Sequence, residues 1–264
     1  MARGPVKGQI GTALVTGASS GIGRAFAMAL AARGTNLVVV ARRKDKLDEL
    51  ARELSSVKVE VLPADLADDE QRAAVEARLR DGARPVDLLV NNAGFGTAGP
   101  FHELPVERED ELVRVNVLAM VRLASAALPG MVERGRGAVI NVSSVSGEQP
   151  LPGWATYAAS KAFVTSFSRA IAAELKGSGV QILNVLPGFT RSGFQDHGNF
   201  GQHFIPGPLW MTPDQVVRKS LKALDRGRSE VVTGAQNRFT AFMSRISPWP
   251  LTRLVLRGAT RKMW

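Results

Sequence analysis

The sequence predicts an α/β fold, a single doubly wound parallel sheet with helices on both faces. Three observations carry that prediction. Apolar runs of strand length alternate with helix-length amphipathic stretches from Ala13 to Leu186, as strands joined by right-handed helical crossovers do. A glycine-rich turn, Gly17-Ala18-Ser19-Ser20-Gly21-Ile22-Gly23, falls between the first strand and the first helix. Later strands end in small and polar residues, at Asn91 to Gly94, Ser143 to Ser144 and Pro187 to Thr190. That is the sheet edge at which open α/β folds bind ligands.

The elements follow in order. Ala13 to Thr16 is the first strand, and after the glycine turn a helix runs from Ala25 to Ala32, closed by Gly34. Asn36 to Ala41 is wholly apolar, as expected of a strand covered on both faces. A helix from Lys46 to Leu54 and a strand from Lys58 to Leu62 come next, and Asp65 is placed to cap the following helix, which ends near Leu79. Val86 to Val90 is the fourth strand. Pro105 to Met131 reads as one long helix with Leu112, Val115, Leu118, Ala119, Leu123 and Ala126 on its apolar face. Asn116 interrupts it; asparagine is a poor helix-interior residue, so it is either a tolerated surface side chain or a kink with a polar task. Ala138 to Val142 is the fifth strand, a helix carrying Tyr157 runs to about Lys176, and Val180 to Leu186 is the sixth strand.

Bulk properties exclude several function classes. The 264 residues, 28.3 kDa, suffice for one large domain, and no linker divides them. The absence of cysteine excludes disulfides, thiol catalysis and cysteine-ligated metals. His102, His197 and His203 lack a metal-ligand spacing, so no metal site is expected. The N-terminus does not read as a secretory signal, and no stretch approaches the roughly 18 apolar residues of a spanning helix, so a soluble, cytoplasmic protein is expected. Net charge is +10 with a pI near 10.6, which favours anionic partners: phosphorylated cofactors, acyl thioesters or membrane headgroups. No nucleic-acid motif occurs, so nucleic acid is not an expected partner.

Two stretches carry chemistry. Strand, glycine turn and helix in succession build an anion site, because glycines admit a pyrophosphate close to the backbone and the helix N-terminus supplies N–H groups and partial positive charge. An acidic residue about 20 positions on would select the ribose 2′-OH of NAD. Arg42, Arg43 and Lys44 stand there instead and suit a 2′-phosphate, so the expected cofactor is NADP(H). The second stretch holds the chain's only tyrosine, Tyr157, four residues before Lys161. On a helix both point from one face. The lysine's charge then favours the phenolate and lowers a pKa that is near 10 in a free tyrosine. An ordinary amphipathic helix would show the same spacing, and its neighbours decide between the two readings.

Those neighbours resemble one family, the short-chain dehydrogenase/reductases. TGASSGIG at Thr16 to Gly23, NNAG at Asn91 to Gly94, the mid-helix Asn116, Ser144, YAASK at Tyr157 to Lys161 and PGFT at Pro187 to Thr190 occur in the family's order over roughly residues 10 to 235. The Gly17, Gly21, Gly23 spacing is that of the compact branch. ARRKDKLDEL, NNAGFGTAGPFHEL and PGFTRSGF further resemble a bacterial subgroup akin to 3-ketoacyl reductases and 17-beta hydroxysteroid dehydrogenases. The resemblance implies a Rossmann-type fold and hydride transfer between NADP(H) and a carbonyl or secondary alcohol. It implies Tyr157 as general acid and base, Lys161 tuning it and holding the nicotinamide ribose, Ser144 bonding the developing alkoxide, and Asn116 anchoring a water that links Lys161 to solvent. For the cofactor it implies Gly17, Ser19, Ser20, Gly21, Ile22 and Gly23 at the pyrophosphate and ribose, and Arg42 and Arg43 at the 2′-phosphate. Asp65 and Leu66 would flank the adenine, Asn92, Ala93 and Gly94 line the central trough, and Pro187, Gly188 and Thr190 hold the carboxamide. Ser192 stands where many relatives carry threonine.

Two segments bear on the substrate and on location. Phe189, Phe194, Phe200, Phe204 and Trp210 put five of the sixteen aromatics into 22 residues rich in glycine, which read as a lid walling an apolar pocket with Trp154 and Phe95. A small apolar carbonyl or alcohol is the expected substrate. After Val231 no acidic residue occurs, and Phe239, Phe242, Met243 and Ile246 form a helical apolar stripe. Residues 1–235 thus read as the dehydrogenase domain and 236–264 as a basic amphipathic extension packed on the domain, on a subunit interface or on a membrane surface. The family implies a homo-oligomer, dimer or tetramer. An NADP-binding sensor without turnover and a membrane-docked lipid or steroid reductase are the alternative readings.

Overall fold

The computed structural model describes residues 10–192 and 210–234. Its strands are β1 (Thr12–Thr16), β2 (Asn36–Ala41), β3 (Val59–Pro63), β4 (Leu88–Asn91), β5 (Gly137–Val142), β6 (Val180–Leu186) and β7 (Glu230–Val232). They form one sheet in the order β3-β2-β1-β4-β5-β6-β7, and every pairing is parallel. The chain runs outward through β2 and β3 and then resumes on the other side of β1 at β4. The β1/β4 junction is therefore the switch point, where a crevice opens above the strand ends.

Helices α1 (Gly21–Ala31), α2 (Lys44–Glu53) and α7 (Pro213–Asp225) cover one face, packing on Val15, Leu37, Val39, Val90 and Ile140. Helices α3 (Asp69–Arg80), α5 (Met120–Glu133) and α6 (Ala155–Glu174) cover the other, packing on Leu14, Val38, Val40, Leu89 and Val139. Alternate residues of β2 thus enter two different cores, which is why that strand is apolar from Leu37 to Ala41. The six strands read from the sequence are all present. β7 and α7 are additional to the elements read from the sequence, and α7 opens with a Thr212/Gln215 capping box.

Three expectations are corrected. Asp65 does not cap α3; Asp68 does, accepting from Gln71 N at 2.8 Å, while Asp65 accepts from Ala67 N within its own turn. The long helix is not uniform: α4 (Val106–Val113) passes through a π-helical turn, Arg114–Ala119, into α5. By length and composition Val106–Glu133 also meets the requirement for a bilayer span, contrary to the hydropathy reading. Here its apolar side faces α3 and strands β4 to β6, so that apolarity serves the domain core. The C-terminal extension, 236–264, and the lid residues Phe194, Phe200 and Phe204 lie outside the described residues.

Two polar devices fix the helices that carry the site. Glu76 of α3, almost wholly buried, accepts from Arg122 of α5 at Nε and, at 2.9 Å, at Nη2, and from Arg80 at 2.9 Å. Burial pushes its carboxyl pKa up, but the two guanidiniums outweigh burial and hold it below its ordinary value. Within the sheet, Asn91, Asn141, Asn184 and Glu230 stand at one register across β4 to β7. Asn91 Nδ2 donates to Asn141 Oδ1 at 3.0 Å, and Asn141 Nδ2 donates to Ser168 Oγ of α6 at 2.9 Å. Asn141→Ala removes both bonds, leaving Asn91 Nδ2 only its 3.4 Å bond to Met120 O and Ser168 Oγ only its bond to Val164 O, and urea unfolding is expected to show a loss of roughly 2 kcal/mol. An unchanged midpoint would show the asparagine row to be dispensable.

Candidate active site

Helix α6 delivers Tyr157 and Lys161 to the carboxyl ends of β4, β5 and β6. Both lie on its buried face, with Ala158, Ser160, Val164 and Thr165. Lys161 Nζ donates to the last carbonyl of β5, Val142 O, at 3.1 Å, and stands 5.9 Å from the centroid of the Tyr157 ring. Ser143 Oγ donates to Lys161 O at 2.7 Å and lies 2.8 Å from Thr165 Oγ1. The next residue, Ser144, hydrogen-bonds the Tyr157 hydroxyl. Its Oγ also accepts from Ser146 N at 3.1 Å, capping the short 3-10 turn Val145–Glu148. That turn lies so close to α6 that a Cβ on Gly147 would be 2.5 Å from the carbonyl carbon of Lys161.

Asn116 enters from the π-helical turn. Its Oδ1 accepts from Phe95 N at 3.1 Å, and its Nδ2 donates to Phe95 O at 2.9 Å and to Ser160 Oγ at 3.1 Å. The misfit of asparagine in a helix interior thus resolves into a buried polar task, and π-turns recur at functional sites for this reason. A Cβ on Gly94 would lie 2.9 Å from Asn116 Oδ1 and 3.4 Å from Lys161 Nζ, so the two side chains meet over that glycine. Phe95, Leu112 and Tyr157 form a buried apolar cluster flanked by Val115 and Trp154, and the Trp154 ring meets Tyr157 edge-on at 6.0 Å. The rings of Phe189 and Trp210 pair at 5.7 Å.

The crevice continues over β1. Gly17 and Gly21 adopt φ of +66° and +54°, and a Cβ on Gly23 would stand 2.2 Å from Gly17 O. The turn therefore folds directly onto the first turn of α1, with no room for side chains. Ser20 is the N-cap but its side chain makes no capping bond, and α1 has no acidic residue in its first turn. Uncapped N–H groups beside a helix N-terminus fit a pyrophosphate. Ser19, Ser20 and Ile22 border that turn, and Ser19 Oγ accepts from Arg43 Nη2 at 3.2 Å. Arg42 is mostly exposed at the end of β2, with Nη1 3.8 Å from Asp65 Oδ2 and 3.2 Å from Glu111 Oε1. Leu66 is buried beside Asp65. Asn92 and Ala93 both donate their backbone N–H to Thr16 Oγ1 at 2.9 Å, which holds the ends of β1 and β4 together. Pro187 O accepts from Val145 N at 3.0 Å, and Thr190 Oγ1 donates to Gly188 O at 2.9 Å. The described residues named for catalysis and for the cofactor all lie at the carboxyl ends of β1 to β6 or on the turns and helices that follow them. Thr16, Ser143 and Ser160 fall within stretches named from the sequence without a role of their own, and Arg108 and Glu111 left no signal there.

The short chain dehydrogenase family model matches residues 11–200. The chain belongs to that family. A very-long-chain 3-oxoacyl-CoA reductase of Phaeosphaeria nodorum is 34% identical over 256 residues, 92% of this chain and 71% of that protein. Among solved structures, a short-chain dehydrogenase from Sphingobium yanoikuyae in complex with NADPH is 37% identical, with a TM-score of 0.80 over 96% of this chain and 94% of that one. The bulky-bulky ketone specific alcohol dehydrogenase from Comamonas testosteroni is 35% identical, with a TM-score of 0.78 over 90% and 93% of the two chains. The protein is thus an oxidoreductase of the short-chain dehydrogenase type.

In this dehydrogenase burial governs both ionisable groups. It pushes the Tyr157 phenol up to about 12, against the smaller lowering effect of the Ser144 hydrogen bond. It pushes Lys161 down to about 8. The expectation that the lysine's charge lowers the phenol is corrected here: burial raises it, and the lowering influence is the Ser144 hydrogen bond. The consequence for stability has a definite sign. Between about pH 8 and 10.5 the unfolded chain carries the Lys161 proton and the native state does not, so stability rises with pH. The Tyr157 effect is opposite and begins only above 10. Comparing wild type with Lys161→Met cancels the other titrations. From pH 7 to 10, wild type is expected to gain on the order of 3 kcal/mol on the variant by chemical unfolding. A constant difference would show that Lys161 is not desolvated.

Proposed function

We propose that this dehydrogenase interconverts a bulky apolar ketone, or the ketone of a 3-oxoacyl thioester, and the corresponding secondary alcohol, using NADP(H). One observation carries the reading: the Tyr157 hydroxyl is bonded to Ser144, its ring packs with Phe95, Leu112 and Trp154, and Lys161 Nζ stands 5.9 Å from that ring. The bound nicotinamide supplies the hydride for reduction and accepts it in the reverse direction. Tyr157 donates its proton to the carbonyl oxygen as the alcohol forms, and the Ser144 hydroxyl holds that oxygen in place. The Lys161 ammonium, next to Gly94 and Asn116, offsets the charge left on the phenolate and returns a proton to it.

Arg42 and Arg43 at the end of β2, together with the NADPH complex of the Sphingobium relative, support NADP(H) over NAD(H). The Comamonas and Phaeosphaeria relatives, which act on bulky ketones and on very-long-chain 3-oxoacyl-CoA, support an apolar substrate. A sensor without turnover would need no buried phenol with a serine partner. Residues 1–235 are read as the working domain of a cytoplasmic homo-oligomer and 236–264 as its basic extension.

The test pairs chemistry with binding. NADPH oxidation with a bulky aryl ketone is expected in wild type and is expected to fall by about 10² to 10⁴ in Tyr157→Phe, the range that general acid catalysis contributes. Binding of 2′,5′-ADP should be unchanged in the variant. Full activity in Tyr157→Phe would refute the proton donor, and turnover of small sugars with no activity on apolar ketones would refute the substrate class.

A further inference from the structure

Glu111 of α4 stands between two arginines. Its Oε1 accepts from Arg42 Nη1 at 3.2 Å, and its Oε2 accepts from Arg108 Nη1. Asp65 Oδ2 lies 3.8 Å from the same Arg42 nitrogen. Arg42 and Glu111 are 69 residues apart, so the pair ties the end of β2 to α4 rather than stapling one helix. The guanidinium proposed to take the cofactor's 2′-phosphate is therefore already held by carboxylates. Arg108 in turn stacks over the Phe95 ring, with Cζ 4.3 Å from its centroid.

We propose that Glu111 is a cofactor-selectivity residue, an internal carboxylate that competes with the 2′-phosphate for Arg42, and that Arg108 sets how strongly it competes. The inference rests on the assignment of Arg42 to the 2′-phosphate. A phosphate dianion brought to Arg42 meets the fixed charge of Glu111 as well as the cation. Binding therefore moves Glu111 off Arg42 or tolerates the repulsion, and either course weakens the phosphate's hold. The exchange is cheap because the displaced carboxylate keeps its bond to Arg108, whose position the Phe95 ring fixes. Without Arg108, Glu111 has only Arg42 and competes harder. The adenosine without a 2′-phosphate never enters this exchange. The ion pairs are partly exposed, with side-chain exposures of 58% for Arg42 and 25% for Glu111, so the effect is modest and sensitive to salt.

Isothermal titration of the full chain with 2′,5′-ADP and with 5′-AMP tests this without turnover. Glu111→Gln is expected to bind 2′,5′-ADP roughly threefold more tightly than wild type, an effect in the range of exposed ion pairs that shrinks in high salt. Arg108→Ala is expected to bind it more weakly, and the double variant to return to the Glu111→Gln level. All three should bind 5′-AMP as wild type does. Unchanged or weaker binding of 2′,5′-ADP by Glu111→Gln, with wild type still preferring 2′,5′-ADP over 5′-AMP, overturns the competition and leaves the 2′-phosphate assignment standing. If wild type does not distinguish the two nucleotides, the assignment of Arg42 falls and the inference with it.

Discussion

Desolvation of the Tyr157 and Lys161 side chains is the constraint on which the rest of the site depends. A phenol held near 12 and an ammonium brought down to about 8 are both the result of taking a polar pair out of water. Such a pair is tolerated only where its hydrogen bonds are satisfied. The surroundings meet that condition one residue at a time. Ser144 bonds the phenol, Val142 O takes the ammonium, and Ser143 with Thr165 ties down the carbonyl of Lys161. Gly147 lets the 3-10 turn lie flat against α6 and close the site from above. The buried phenol stays protonated at neutral pH, as the proposed proton donor must.

The same crevice has a wet end and a dry end. Over β1 and β2 the glycine turn, the uncapped start of α1 and the exposed arginines present N–H groups and positive charge to solvent. At the Tyr157 end a buried apolar cluster of Phe95, Leu112 and Tyr157 adjoins buried polar groups held in hydrogen bonds. The two ends meet at Gly94, where the absence of a side chain lets Asn116 and Lys161 approach the strand end. This division matches a charged, phosphorylated cofactor at one end and an apolar carbonyl at the other.

Much of this was legible in the sequence, and the parts that were not share a cause. Strands read correctly because each is a short apolar run, and the glycine turn read correctly because Gly17, Gly21 and Gly23 answer to backbone geometry alone. Asn116 was visible as a local misfit, yet its π-turn and its bonds to Phe95 and Ser160 depend on residues 21 and 44 positions away. Asp65 was assigned the cap that belongs to Asp68, since either fits the local pattern and only the helix start decides. Glu111 and Glu76 gave no signal beyond ordinary same-helix pairs with Arg108 and Arg80, because Arg42 and Arg122 lie on other elements and reach them only once the sheet has brought them together. The balance between burial and the lysine's charge at Tyr157 was likewise out of reach, since desolvation is a property of the whole fold.

Tyr157 is the chain's only tyrosine, so phenolate absorbance reports on it without interference. A pH titration of the folded protein, with near-ultraviolet dichroism monitoring the fold, tests directly whether burial governs this site. The account predicts essentially no phenolate while the protein stays folded through about pH 10.5, with ionisation only near 12 or on unfolding. A midpoint at or below 10 in the folded, cofactor-free protein would contradict it.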